Sequence, residues 1–144
     1  AWSTWIDYRA FIGYELRDNP DMSDATLLAA EDERSSRLQQ AKAIIEHLQD
    51  AGQLAAHVPL LVGGDWNTPS HLDWTKDAAR VYKNRRVLAL PVSTAMVGAG
   101  FTDTFRAIYP NPIQHPGIPH QAVAENWRSA EHAGHQFDRY RRGP

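Results

Sequence analysis

The chain has no cysteine among its 144 residues, which excludes disulfides and every thiolate-held metal site. It also has no apolar run approaching the roughly 18 residues that a membrane helix requires. The opening Ala1-Trp2-Ser3-Thr4-Trp5 has neither the charged start nor the apolar core of a signal peptide. An excess of one charge is missing too. Fifteen Lys and Arg against 17 Asp and Glu leave a formal charge of −2, whereas a bulk polyanion binder is normally markedly basic. Two local basic clusters, Lys83 with Arg85 and Arg86, and Arg139 with Arg141 and Arg142, read as a solvated face and a charged tail.

What is present fits one domain over residues 1–144. The hydrophobic content of 42% and charged content of 22% are ordinary for a globular protein, and the length suffices for a real core. Trp2 to Phe11, rich in aromatic and β-branched residues, predicts a strand. Arg17 to Asp24 reads as a loop around Asn19-Pro20. Leu38, Ala41, Ile45 and Leu48 recur on one helical face, with Ser35 or Ser36 as cap and Gly52 as stop. Val58 to Val62 has no polar face and predicts a strand covered on both sides. Ser70 and Asp73 are spaced as a capping pair for a helix through Tyr82. Val87 to Val92 contains Pro91, which leaves an edge strand or a packed loop. Thr102 or Asp103 should cap a further short helix. Strands and helices alternate, so the fold class is α/β.

The segment that carries chemistry is Leu60-Leu61-Val62-Gly63-Gly64-Asp65-Trp66-Asn67-Thr68-Pro69-Ser70. A buried strand there hands a carboxylate and a carboxamide, two residues apart, to a rim. Gly63 and Gly64 allow close backbone approach. An aspartate at a strand end can take a proton from an attacking water. An asparagine can donate to an oxygen on which negative charge builds. By itself, Asp-x-Asn also serves local turn bonding. His71 adjoins the motif as a candidate substrate contact. Trp66 and Trp74 flank it, placed either to stack on a base or sugar or, preferably, to pack against the second layer; Trp66 is the candidate for substrate contact. His115, His120, His132 and His135 cluster without the spacing of a structural zinc site. The identity of any metal ligands stays open.

The motif resembles the G-D-[FWL]-N-[TS]-P signature of the endonuclease/exonuclease/phosphatase superfamily of metal-dependent phosphoester hydrolases. The resemblance extends to Thr4-Trp5-Ile6-Asp7-Tyr8, similar to a strand end of the form N-T-H-L-D-[YW], with Trp5 at the histidine position and Ser3 at the asparagine position. It continues through Gly100-Phe101-Thr102-Asp103-Thr104-Phe105-Arg106, His115-Pro116-Gly117, and Phe137-Asp138-Arg139, the last resembling [YF]-D-R-I. The resemblance implies a four-layer α-β-β-α sandwich, a Mg²⁺ ion, and a phosphoester substrate such as a nucleic acid or a phospholipid headgroup. It assigns Asp65 to the nucleophilic water, Asn67 to a phosphate oxygen and Asp138 to orienting a histidine. The family's upstream metal-binding glutamate and terminal S-D-H lie outside these residues, and a Thr-Trp pair after H-P-G is replaced by Ile118-Pro119. An indole transfers no proton at neutral pH, so Trp5 removes one expected function. The expectation is a fragment of a hydrolase, inactive alone; the alternative is a non-catalytic remnant or binding module of the same fold.

Overall fold

The computed structural model describes residues 1–82, 86–117 and 139–141. The order is β1 (Trp2–Trp5), α1 (Ile12–Asp18), α2 (Asp24–Ala29), α3 (Arg37–Asp50), β2 (Leu60–Asp65), a 3₁₀ turn (His71–Asp73), α4 (Lys76–Val81), α5 (Pro91–Gly98), β3 (Thr102–Asp103), α6 (Thr104–Ile108) and β4 (Arg139–Arg141). The sheet order is β1-β2-β4-β3, parallel between β1 and β2 and antiparallel elsewhere. The fold is mixed α/β. Among the described residues no helix is long and apolar enough to cross a membrane.

Helix α3 follows its apolar period. Leu38, Ala41 and Leu48 are buried and join Leu60, Val62, Val92, Met96 and Phe101 in the main core. Its C-terminus is closed by Gly52 at φ +68, where the Gly52 amide donates to the Gln49 carbonyl and the Gln53 amide to that of Leu48. That pair of bonds caps the last orphan carbonyls, and the left-handed backbone suits glycine. At the other end Ser36 makes no side-chain cap bond. Its amide and hydroxyl both donate to Asp7 Oδ2, at 2.8 and 2.9 Å, so a carboxylate remote in sequence meets the positive end of the helix dipole. A second core joins Ile12, Leu16, Leu27, Trp74, Leu88 and Leu90.

Several expectations need correction. The first strand stops at Trp5 rather than reaching Phe11. Beyond it Arg37 captures the carbonyls of Asp7, Arg9 and Ala10, which a strand would have offered to a ladder, and Ala10 sits at φ +49. The expected loop Arg17 to Asp24 is shorter, because α1 reaches Asp18 and Ser23 caps α2 by accepting from the Thr26 amide at 3.1 Å. Strand β2 starts at Leu60, after Pro59, which has no N–H for a ladder. Among the described residues it is covered on one face only: Leu60 and Val62 are buried while Leu61 is 36% exposed. Among the described residues, α3 and α5 contribute to the core on the Leu60–Val62 side alone.

The single helix expected from Ser70 to Tyr82 is two elements. Ser70 caps the 3₁₀ turn and Thr75 caps α4. Asp73 turns inward to Arg106, at 2.7 Å, instead of reaching back to the cap. Val87 to Val92 is a packed loop in which Leu88 and Leu90 are buried, ending where Pro91 opens α5 with its preset φ. Asp103 caps α6 by accepting the Arg106 amide at 3.0 Å. Arg86, expected on a solvated face, donates to Asp24, at 2.9 Å, and to the carbonyls of Met22 and Pro20. Lys83, Arg85 and Arg142 lie outside the described residues.

Candidate active-site edge

The C-terminal ends of two parallel strands build the candidate site. Asp65 closes β2 opposite Trp5, the last residue of β1, and the Ile6 amide donates to the Asp65 carbonyl at 3.1 Å. This close pairing depends on Gly64. Its φ is +140, and a Cβ there would fall 1.9 Å from the Thr4 carbonyl oxygen, so no other residue fits without moving β1. Strand alternation puts Asp65 on the same face as Leu61 and Gly63, the one with no described layer above it. Trp5 shares that face by register and is 77% exposed.

Asn67 is fixed from two directions. Its amide donates to Asp65 Oδ1 at 3.1 Å, and its side-chain Nδ2 donates to the Ile6 carbonyl at 2.9 Å. Its φ of +47 is left-handed, which asparagine tolerates better than most residues. The first bond is the local turn bond that Asp-x-Asn makes on its own account. The second is tertiary and ties the motif loop to the end of β1. A carboxamide nitrogen carries two hydrogens, so Asn67 retains a second one to donate.

Beneath this edge lies a buried polar layer. Thr68 Oγ1 donates to Glu31 Oε1, and the Val92 amide donates to Glu31 Oε2 at 3.2 Å. Arg37 Nε lies 3.7 Å from Glu31 Oε1, with both side chains wholly buried. Burial lowers the Arg37 guanidinium from its ordinary range and the Glu31 carboxylate opposes that shift; an arginine remains charged regardless. Arg37 also donates to the Asp7, Arg9, Ala10 and Ala30 carbonyls. One ion pair therefore holds both the segment after β1 and the loop after β2. Asp7 completes the frame. Its carboxyl is held well below the usual carboxylate range, chiefly by the Arg9 guanidinium and also by the Ser36 amide and hydroxyl, against a burial effect that raises it.

The sequence-predicted residues divide clearly. Asp65 and Asn67 come together at the strand end. Trp66 is 0% exposed and belongs to the main core, so it offers no ring face to a substrate; its side chain points opposite to that of Asp65. Trp74 is likewise buried. His71 is half-buried, and its backbone amide and ring Nδ1 each lie 2.6 Å from Ser93 Oγ. Asp138, His120, His132 and His135 lie outside the described residues. Among the described residues no group of three or more His, Asp or Glu is placed to hold a metal ion.

No sequence motif points to Glu31, Arg37 or Ser93. A signal existed for Arg37, which shares its helical face with Ala41 and Leu48. None existed for Glu31, one acid in the run Glu31-Asp32-Glu33.

No family model matches the chain, and no solved structure matches it. It is similar to an uncharacterized protein of Caenorhabditis elegans, with 41% identity over 66 residues covering 46% of this chain. That match spans 21% of the relative, so the chain corresponds to about a fifth of its length.

Proposed function

We propose that this chain carries part of the catalytic edge of a metal-dependent phosphoester hydrolase of the endonuclease/exonuclease/phosphatase type. In this reading the described sheet belongs to a four-layer α-β-β-α sandwich, and its open face is where that architecture would place further structure. The observation that carries the reading is the placement of Asp65 and Asn67 together at the end of β2, locked to the end of β1 by the Asn67 Nδ2 bond to Ile6. Asp65 would accept a proton from the attacking water. The second Nδ2 hydrogen of Asn67 would meet a non-bridging oxygen as charge develops there. Asp138 would orient a histidine supplied from elsewhere. The Mg²⁺ ion would supply charge neutralisation on the phosphoryl group, with ligands beyond the described residues. The substrate class is a phosphodiester, in a nucleic acid or a phospholipid headgroup.

A second reading, a non-catalytic remnant or binding module, is favoured by one observation. Trp5, at the position where relatives of this type place a histidine, presents an exposed indole beside Asp65. Hydrolysis of bis(p-nitrophenyl) phosphate by the natural polypeptide that contains this chain separates the two. Mg²⁺-dependent turnover lost on Asp65→Asn supports the hydrolase, and Trp5→His should then raise it. No turnover above buffer with any divalent ion supports the remnant. The 144 residues alone are expected to bind no Mg²⁺ at micromolar concentration by calorimetry and to hydrolyse nothing, since members of a catalytic set act jointly.

A further inference from the structure

The two tryptophans of β1 use their indoles differently. Trp2, opposite Val62 and so on the covered side, donates its Nε1–H to Gln53 Oε1 at 2.9 Å and meets the His47 ring edge-on, with centroids 5.1 Å apart. Trp5, opposite Asp65 on the other side, is 77% exposed and has no hydrogen-bond or ring partner among the described residues. Trp5 and Asp65 each end their strand. Indole and carboxylate therefore stand side by side at the rim of the sheet, one strand spacing of about 4.8 Å apart.

A lone exposed aromatic is ordinary on a protein surface, but the charge beside this one is distinctive. The two segments that build the rim, Trp2 to Tyr8 and Leu60 to Thr75, contain three aspartates and no lysine or arginine. Asp7 pairs with Arg9, and Asp73 with Arg106. Asp65 faces no cation among the described residues, and only its Oδ1 is engaged there, by the Asn67 amide. A groove for nucleic acid neutralises phosphates with lysine and arginine, so this rim has the wrong sign to follow a polynucleotide backbone. A cation suits it. The negative face of an indole attracts positive charge, tryptophan does so best, and quaternary ammonium groups are the ligands most often held this way. A divalent metal ion would use the carboxylate but not the indole, which has no acceptor atom.

We propose that Trp5 and Asp65 form a subsite for a quaternary ammonium group, the ring receiving the cation on its face and the carboxylate adding its charge alongside. On the phosphoester reading above, this makes Trp5 a specificity residue for a choline-type phosphodiester. A choline ester separates phosphorus from nitrogen by one oxygen and two carbons, a span comparable with the strand spacing of about 4.8 Å. A phosphoryl group at Asp65 and Asn67 then leaves the ammonium over the neighbouring strand, at Trp5.

Nitrogen-15 NMR of the labelled 144-residue chain tests the subsite with no metal or phosphate present. Trp5 is the one of five indole N–H signals that Trp5→Phe removes. Choline is the probe, and dimethylbutanol, its neutral carbon isostere, is the control. Choline should shift the Trp5 signal saturably and bind about fivefold tighter than the isostere, the scale of a cation–π contact at an exposed site. Trp5→Leu should lose the choline site. Equal affinity for the two probes, no saturable shift, or choline binding that survives Trp5→Leu would overturn the proposal. So would a short oligothymidylate that shifts Trp5 where choline does not, which would mark the ring as a base-stacking platform. The first two of these need only the unaltered chain. In the natural polypeptide, the ratio of kcat/KM for p-nitrophenyl phosphocholine to that for methyl p-nitrophenyl phosphate should fall about fivefold in Trp5→Leu. An unchanged ratio in an active enzyme would overturn the specificity role. No turnover of either ester, with choline still bound at Trp5, supports the subsite and counts against the hydrolase reading alone.

Discussion

Two tryptophans flank Asp65 and obey opposite rules. Trp66 follows it in sequence and is fully enclosed, whereas Trp5 faces it across the β1–β2 pair and stands 77% exposed. They mark the two sides of the sheet. On the covered side Leu60, Val62 and Trp66 pack under α3 and α5. On the open side Leu61, Asp65 and Trp5 have no described layer above them. The covered side should set stability and the open side should set chemistry, because groups committed to a packed interior cannot also meet a substrate. The division explains how a motif can be both rigid and available. Gly64 and the Asn67–Ile6 bond fix the edge from within, while Asp65 keeps one carboxylate oxygen free of described partners.

The largest expected effect lies in the polar layer beneath the covered side. Glu31→Ala leaves the Arg37 charge buried without its partner and removes the acceptor for Thr68 and Val92. A loss of about 3–5 kcal/mol is expected by urea denaturation, and Glu31→Gln should lose less by keeping one oxygen. A loss below about 1 kcal/mol for Glu31→Ala would mean that this layer is not what holds the edge.

Comparing the tryptophans themselves comes next. Trp66→Ala should cost about 3–4 kcal/mol from lost burial and the cavity left behind, against no more than about 0.5 kcal/mol for Trp5→Ala at an exposed site. Equal costs would show that the open face is covered in solution. Within β2 the same contrast should repeat on a smaller scale. Val62→Ala should cost about 2 kcal/mol and Leu61→Ala less than about 1 kcal/mol.

The pH dependence sharpens the role of the frame. The Asp7 carboxyl is depressed, first by Arg9 and then by Ser36. Its stabilisation is therefore complete above the unfolded aspartate pKa of about 3.9 and is lost as pH falls towards the lower folded value. The urea midpoint should fall on acidification below about pH 4, and Asp7→Asn should flatten that part of the curve. Because the Arg9 side chain is mostly solvated, the effect should shrink in high salt. The smallest effect belongs to Asp65→Asn, which should alter stability by no more than about 0.5 kcal/mol while removing any activity. A large stability loss would place Asp65 among the structural groups instead.

Much of the covered side was legible in the sequence. The period of α3, its glycine stop, the strand entering the motif and a cap at Thr102 or Asp103 are all local patterns, and local patterns dictate local hydrogen bonding. The shorter first strand was not legible, because Arg37 withdraws its carbonyls from 27 or more residues away. Nor was the break in the helix after Ser70, since Asp73 serves equally as a capping residue or as a partner for Arg106 until the fold brings the two together.

The sequence by itself determined that the chain is α/β, that a glycine pair delivers Asp65 and Asn67 at a strand end, that Gly52 closes α3 and that Ser70 caps the turn after the motif. These follow from backbone chemistry within a few residues of each site. The tertiary structure alone decided which face of β2 is covered, which tryptophan beside Asp65 is core, and which acid of Glu31-Asp32-Glu33 is buried against Arg37. Burial is set by neighbours far away along the chain, and an identical local pattern is compatible with either outcome.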